Sequence, residues 1–93
     1  MIRSFRNRDT ESVFHGRPTR TFPRDIQDRA RDKMRAVAAA ETVDDLRNPP
    51  GNRLEKLSGS RAGQWSVRVN QQWRICFEFR ECDAYLVELV DYH

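Results

Sequence analysis

The chain has 93 residues, enough for one hydrophobic core, so we expect a single domain over residues 1–93. Hydrophobic residues make up 38% and charged residues 33% of the sequence, which excludes a disordered chain, and the formal net charge is +3. No apolar run approaches the roughly 20 residues of a membrane span, and the N-terminus lacks the apolar stretch of a signal peptide, so we expect a cytoplasmic protein with no membrane partner.

The first half of the sequence is predicted to be mainly helical. Residues 1–5 have the pattern of a short strand, and residues 10–14 that of a helical turn closed by Gly16. From Pro23 onward, apolar residues recur every three or four positions, which predicts an amphipathic helix of about 17 residues. Residues 42–51 then predict a short helix that is opened by a capping-box pattern and ended by two prolines.

The second half follows the two-residue period of β-strands. Apolar and polar side chains alternate in residues 65–70 and again in residues 73–79, which predicts an antiparallel hairpin with Arg68 and Arg74 on its polar face. Residues 84–90 are apolar on both sides, as expected for a central strand. Helices followed by an antiparallel sheet predict the α+β class, with two layers and one sheet face available to a ligand.

Arginine dominates the basic residues. Of the 17 basic residues, 15 are arginine, whose planar guanidinium grips phosphate in two places and stacks on bases. Residues 46–76 hold six basic side chains against Glu55 alone. Besides the hairpin arginines, this basic segment supplies Arg53, Lys56 and Arg61 as candidate RNA-binding residues. A solvated surface explains such a charge pattern as well.

Sequence motifs for metal or cofactor chemistry are missing. There is no glycine-rich phosphate loop, no HExxH motif and no Gly-x-Ser-x-Gly motif. His15 and His93 are the only histidines, and neither has a complete set of metal ligands near it in the sequence, so we expect neither a metal nor a cofactor. The only cysteines, Cys76 and Cys82, are predicted to be free thiols.

One titratable cluster remains: Asp91, Tyr92 and His93 after the last predicted strand, together with Arg68 and Arg74. These residue types suit transesterification within RNA, because RNA supplies its own nucleophile, the 2′-hydroxyl. The protein then has to orient this group, remove its proton, stabilise the phosphate and protonate the departing 5′-oxygen. None of these tasks requires a metal.

The three residues after the last strand have simpler alternatives. His93 is the candidate general acid or base because it titrates near neutral pH, or it only forms a hydrogen bond. Tyr92 stacks on a base, orients the phosphate or fills a gap. Asp91 holds the His93 tautomer if the strand continues, and it is a structural acceptor if the strand bends.

The hairpin arginines also have an alternative. Arg68 and Arg74 bind phosphate, or they form surface ion pairs with Glu78 or Glu88. An exposed ion pair stabilises a protein by only about 0–1 kcal/mol, so phosphate binding is the stronger reason for two arginines on this face.

Three parts of the sequence resemble a known family in the right order: the opening IRSF, the segment PPGNRLEKLSGSRAGQWSVRVNQQWRICFEF and the closing VDYH. They are similar to HigB-type plasmid-maintenance killer toxins of the RelE/ParE superfamily. The resemblance implies a RelE-like fold, with N-terminal helices packed on a small, mainly antiparallel sheet. It also implies a ribosome-dependent mRNA endoribonuclease that inhibits translation. The implied partners are mRNA on the ribosome and a HigA-like antitoxin, which forms a hetero-oligomer with an otherwise monomeric toxin.

The resemblance also implies which residues are functional. Arg68 and Arg74 match phosphate-binding residues of such toxins, and residues 91–93 match their C-terminal catalytic motif. Some HigB toxins have a catalytic histidine before the hairpin, where this chain has Glu55. This departure leaves the division of work between acid and base open.

Two other functions are open at this point. One is a ParE-like toxin that binds and inhibits DNA gyrase without cleaving RNA, and the other is a module that binds an antitoxin or the ribosome without turnover. The histidine, the tyrosine and the hairpin arginines favour the endoribonuclease, because a protein that only binds needs no acid–base residues.

Overall fold

The computed structural model describes residues 1–92. Helix α1 spans Arg8–Phe14 and helix α2 spans Arg24–Ala39. The described residues also form an antiparallel sheet with the strand order β1-β2-β3-β4. Its strands are Glu55–Lys56 (β1), Trp65–Arg68 (β2), Trp73–Arg80 (β3) and Asp83–Asp91 (β4). The predicted α+β class is confirmed, with the helices in the first half and the hairpin in the second.

Helix α2 packs its apolar stripe against one face of the sheet. Its buried positions are Ile26, Ala30, Met34 and Val37. They share one hydrophobic cluster with apolar side chains of the strands, among them Val67, Val69, Ile75, Phe77, Val87 and Leu89. Burying a side chain of this kind stabilises a fold by about 1.5–3 kcal/mol. Within residues 1–92, no helix has the length and apolar character needed to cross a membrane.

The predicted short helix after α2 is a 3-10 helix, Val43–Arg47, with its capping box in place. The Asp45 carboxylate accepts the backbone N–H groups of Thr42 at 3.1 Å and Glu41 at 2.9 Å. These hydrogen bonds lower the pKa of Asp45. A further 3-10 turn, Pro50–Asn52, begins at the second of the two prolines that were expected to end the helix, and it leads directly to Arg53.

Two expectations about the edge of the sheet are wrong. The first residues form no regular strand, because Ile2 and Phe5 make only isolated parallel bridges, to Ala84 and Val87. β4 is consequently the last strand of the regular sheet, bordered by these bridges, and not a central strand.

The apolar character of both sides of β4 has a local cause. The register between β3 and β4 shifts between Cys76 and Glu78, where β4 contains an additional residue. Leu86 lies in this stretch with a φ of 54°, and the irregularity brings Val87 to the core, where it is fully buried. A bulge of this kind breaks the two-residue alternation, so apolar residues on both sides of β4 do not indicate a central strand.

Candidate active site

Arg68 and Arg74 are direct cross-strand partners in the β2–β3 hairpin. Directly opposed residues of antiparallel strands project from the same face of the sheet, so the two guanidinium groups lie together as predicted. This face is opposite to the one on which Val67 and Ile75 join the core. Like charges in this position repel, so other contacts must hold the two side chains in place.

Arg74 is held by three hydrogen bonds and is only 7% exposed. Its Nε donates to Ser66 Oγ at 2.8 Å, and its Nη2 donates to the carbonyls of Arg53 at 2.6 Å and Ser66 at 3.5 Å. Arg53 has a left-handed backbone, with φ 43°. In a non-glycine residue this conformation costs about 1–3 kcal/mol, which the hydrogen bond to Arg74 helps to offset.

These contacts leave part of the Arg74 guanidinium available to a ligand. An arginine has five N–H donors, and the three hydrogen bonds use those of Nε and Nη2. The nitrogen Nη1 lies 4.0 Å from a carboxylate oxygen of Glu55, which is beyond hydrogen-bond distance. Within residues 1–92, both N–H groups of Nη1 therefore remain for an incoming acceptor.

Arg68 is anchored differently, through the turn of the hairpin. Its Nε donates to the carbonyl of Asn70 at 3.0 Å. The Asn70 side chain in turn accepts the backbone N–H groups of Gln72 and Trp73, both at 2.8 Å, and so stiffens the turn. Because no further hydrogen bond holds Arg68 within the described chain, both of its terminal nitrogens are available to a ligand.

A cleft of about 200 Å³ connects the two arginines. Its lining residues are Arg53, Glu55, Arg68, Asn70, Gln71, Arg74 and Tyr92. Three cationic side chains and a single carboxylate therefore surround one concave site. Such a site favours an anion, and the planar forks of arginine match the oxygen atoms of a phosphate group.

Tyr92 borders the cleft, whereas Asp91 does not. The Arg74 guanidinium carbon lies 5.5 Å from the centre of the Tyr92 ring, within the range of a cation–π contact. Asp91 is paired with Trp73 in the sheet, and its carboxylate accepts a hydrogen bond from Gln72 Nε2 at 3.0 Å. Successive residues of a strand point to opposite faces, which separates the Asp91 side chain from the cleft. The third predicted residue, His93, lies outside the described residues.

The three predicted RNA-binding residues occupy different places. Arg53 lines the cleft. Lys56 instead places its Nζ 5.8 Å from the centre of the Trp65 ring. Arg61 donates to Glu88 at 3.2 Å and so belongs to a separate part of the outer sheet face. Only one of the three therefore adjoins the hairpin arginines.

The alternative of ion pairs with Glu78 or Glu88 is wrong for both hairpin arginines. Glu78 pairs with Arg80 at 3.3 Å, and Glu88 pairs with Arg6 at 3.4 Å and Arg61 at 3.2 Å. The outer face of the sheet is also less open than predicted, because Ser66 and Cys76 are fully buried there.

Both cysteines are free thiols, as predicted. Burial raises the pKa of the Cys76 thiol, although the nearby Arg61 opposes this effect. Cys76 thus stays protonated near neutral pH and is a poor nucleophile. In the described part of the chain, no group of three or more His, Cys, Asp or Glu residues is arranged to hold a metal ion.

Sequence reasoning missed three residues that shape the cleft. Ser66 orients Arg74, while Asn70 and Gln71 line the cleft at the turn. The signal for Ser66 was its position two residues before Arg68, on the same face of β2. The turn residues lacked such a signal, because their side chains are placed by turn geometry and not by strand alternation.

Comparison with known proteins identifies the family. A profile described as "RelE-like toxin of type II toxin-antitoxin system HigB" matches residues 3–93. The chain belongs to this HigB-like toxin family. The resemblance predicted from the sequence is confirmed.

Individual relatives agree with the HigB-like assignment. "Endoribonuclease HigB" from Proteus vulgaris is 36% identical over 93 residues, which covers 100% of both chains. "Toxin HigB-1" from Vibrio cholerae is 42% identical over 60 residues, which covers 64% of this chain and 63% of the relative. Among solved structures, a chain of the YoeB-YefM complex from Staphylococcus aureus matches 100% of this chain and 98% of its own length, with a TM-score of 0.63. At 11% identity, this last similarity shows the shared RelE-like fold alone.

Glu55, the position at which this chain is expected to differ from some HigB toxins, lies at the edge of the cleft. Glu55 opens β1, and about half of its side chain is exposed (53%). Its neighbour Lys56 points to the Trp65 ring and does not line the cleft. A carboxylate therefore stands beside Arg74 at the position that the resemblance aligns with a histidine of some HigB toxins.

Proposed function

We propose that this HigB-like protein is the toxin of a type II toxin–antitoxin system and acts as an mRNA endoribonuclease. The observation that carries the proposal is the cross-strand pair of arginines, because both have unengaged N–H groups at one cleft beside Tyr92. A phosphodiester presents oxygen acceptors to such groups, and an aromatic ring offers a stacking surface to a base. The endoribonuclease named among the relatives supports the same reaction.

The proposed reaction is a transesterification without a metal. The 2′-oxygen attacks the adjacent phosphorus, the bond from phosphorus to the 5′-oxygen breaks, and a 2′,3′-cyclic phosphate and a 5′-hydroxyl result. A base takes the 2′-hydroxyl proton, and an acid gives a proton to the leaving 5′-oxygen. Arg68 and Arg74 stabilise the charge that builds up on the phosphate oxygens.

His93 and Glu55 are the candidate acid–base residues. Histidine is the residue type whose ordinary pKa lies closest to neutral pH, and His93 follows Tyr92 directly in the sequence, so it is our first choice. Glu55 is the alternative base because its carboxylate lines the cleft. We assign Asp91 a supporting role, since its carboxylate is bound to Gln72.

The setting of the reaction follows from the family. Antitoxin binding is the expected control of a type II toxin, and we propose a HigA-like antitoxin that forms a hetero-oligomer with an otherwise monomeric toxin. We further propose that the substrate is mRNA on the ribosome and that the protein acts in the cytoplasm, where translation takes place. Inhibition of gyrase by a ParE-like mechanism is not favoured, because the Proteus vulgaris relative that matches the whole chain is named as an endoribonuclease.

The test of the reaction is the chemistry of the RNA ends. Purified toxin and translating ribosomes, supplied with a labelled mRNA and a chelator, should yield fragments with 2′,3′-cyclic phosphate and 5′-hydroxyl ends. Removing one charge-stabilising donor typically lowers such a rate by about 100- to 1000-fold, and Arg74→Ala should show a loss of this size. Intact mRNA under these conditions would contradict the proposal, and so would an Arg74→Ala variant that cleaves at the wild-type rate.

A second experiment assigns the acid and the base. The rate of cleavage should be measured against pH for the wild type, His93→Ala and Glu55→Gln. If His93 moves a proton, His93→Ala loses the inflection near neutral pH, while Glu55→Gln keeps it. The opposite pattern would transfer the role to Glu55.

A further inference from the structure

A second basic cleft lies next to the candidate active site, between α2 and the β2–β3 hairpin. Its volume is about 380 Å³, and its lining residues are Arg29, Lys33, Gly51, Arg68, Val69, Asn70 and Gln71. Three of these residues, Arg68, Asn70 and Gln71, also line the candidate active site. The two clefts therefore adjoin along the hairpin turn and share one arginine.

The charge of the second cleft is uniformly positive. Arg29 and Lys33 are four residues apart and lie on the same side of α2. The lining contains no carboxylate, and Arg29 is exposed and has no acidic partner within residues 1–92. With Arg68, three cationic side chains surround a space that no acidic residue neutralises.

Lys33 is held in position by the segment that also holds Arg74. Its Nζ donates to Asn52 Oδ1, and the buried Asn52 is fixed by its own hydrogen bond to the carbonyl of Leu46. The next residue, Arg53, provides the carbonyl that binds Arg74. Residues 52 and 53 thus position one cation of each cleft, which fixes the two sites relative to each other.

We propose that the second cleft binds the phosphodiester backbone of the same RNA strand, adjacent to the phosphate that is cut. This inference rests on the proposed endoribonuclease function. An RNA strand has a phosphate at every nucleotide, and a strand seated on Arg68 and Arg74 meets Arg29 and Lys33 if it continues past the hairpin turn. A protein partner fits less well, because the only apolar lining residue, Val69, is buried and offers no anchor to an interface.

The test compares RNA oligonucleotides of two lengths. The double variant Arg29→Gln/Lys33→Gln should bind a nine-nucleotide single-stranded RNA about tenfold more weakly than the wild type and bind a three-nucleotide RNA equally well. Each single-strand phosphate contact contributes about 0.7 to the dependence of log K on log salt, so the loss of two contacts should lower the slope for the longer RNA by about 1.4. Fully 2′-O-methylated oligonucleotides prevent cleavage during the anisotropy measurement.

Arg24→Gln/Arg35→Gln is the matched control. It removes the same charge from exposed positions of α2 that line neither cleft, and it should leave both affinities unchanged. The charge-conserving variant Arg29→Lys/Lys33→Arg should restore binding of the longer RNA. Thermal unfolding of all three variants checks that each is folded.

Several results would overturn the inference. Equal losses in the double variant and in its control would show a general effect of charge, and unchanged affinity for the longer RNA would remove the subsite. If only cleavage on the ribosome declined, the cleft would contact ribosomal RNA and not the substrate strand. If only antitoxin affinity declined, it would be a protein-docking surface. Failure of the proposed function is distinguishable, because the wild type would then produce no cyclic phosphate ends.

Discussion

At the scale of the residue, Arg74 combines a structural and a chemical task. The alternation of β3 predicted its side of the sheet, and Arg68 opposite it was predicted in the same way. Its burial was not predictable from this alternation, because it depends on Arg53, which is 21 residues away in sequence. Long-range contacts of this kind depend on tertiary structure and leave no periodic signal.

Substituting lysine for each hairpin arginine should separate these tasks. Arg74→Lys leaves Ser66 Oγ and the Arg53 carbonyl without their donors, and we expect a loss of about 1–3 kcal/mol in the free energy of unfolding as well as a loss of cleavage. Arg68→Lys should lower cleavage but change stability by no more than about 0.5 kcal/mol. Urea unfolding measures the first quantity and end-labelled RNA the second. Equal stability of the two variants would show that the buried hydrogen bonds of Arg74 do not stabilise the fold.

Tyr92 allows a similar separation between its ring and its hydroxyl group. Because stacking of a base on an aromatic ring contributes about 1–3 kcal/mol, Tyr92→Ala should weaken binding of a non-cleavable RNA by tenfold or more. Tyr92→Phe keeps the ring beside Arg74 and should bind like the wild type. Fluorescence anisotropy measures both affinities. A Tyr92→Phe variant as weak as Tyr92→Ala would assign the contact to the hydroxyl group instead.

At the scale of the element, local patterns predicted the structure where an element is regular. The helical spacing predicted α2, and the two alternating runs predicted the β2–β3 hairpin. The prediction was wrong at β4, because its bulge and its bridges to residues 2–5 are set by tertiary packing and not by local preference.

Gly16 lies in the turn that follows helix α1. It follows α1 with a φ of 75°, and a Cβ atom at this position would lie 2.8 Å from Arg31 Nη1. Gly16→Ala should therefore destabilise the protein by about 1–2 kcal/mol. Gly51→Ala is the control, since a Cβ atom there meets nothing within 4 Å, and it should change stability by less than about 0.5 kcal/mol. Thermal unfolding of the two variants measures both changes in stability, and comparable losses of stability would contradict this explanation.

At the scale of the whole molecule, an ion pair links the beginning of the chain to β4. Arg3 Nε lies 3.1 Å from the Asp83 carboxylate, and its hydrogen bond lowers the pKa of Asp83. A carboxyl group whose pKa is lower in the folded than in the unfolded state stabilises the protein at pH values above the unfolded-state pKa, which is about 3.9 for aspartate. This stabilisation is lost as the pH falls through the pKa of the folded state.

Arg3→Gln should consequently be less stable than the wild type at pH 7, and the difference should shrink as the pH is lowered below about 4. Arg35→Gln, an exposed arginine on α2, should show no such dependence on pH. Urea unfolding at a series of pH values between 7 and 3 measures both. A difference that stays constant over this range would mean that Asp83 is not the group stabilised by Arg3.

The bridges at β4 also bear on how the protein behaves at high concentration. An uncovered edge strand invites another chain to add to the sheet and begin aggregation. Here the first residues cover part of one edge through their bridges to β4, and the opposite edge consists of only two charged residues, Glu55 and Lys56. Neither border offers a long apolar template, so the sheet is protected against strand-by-strand self-association.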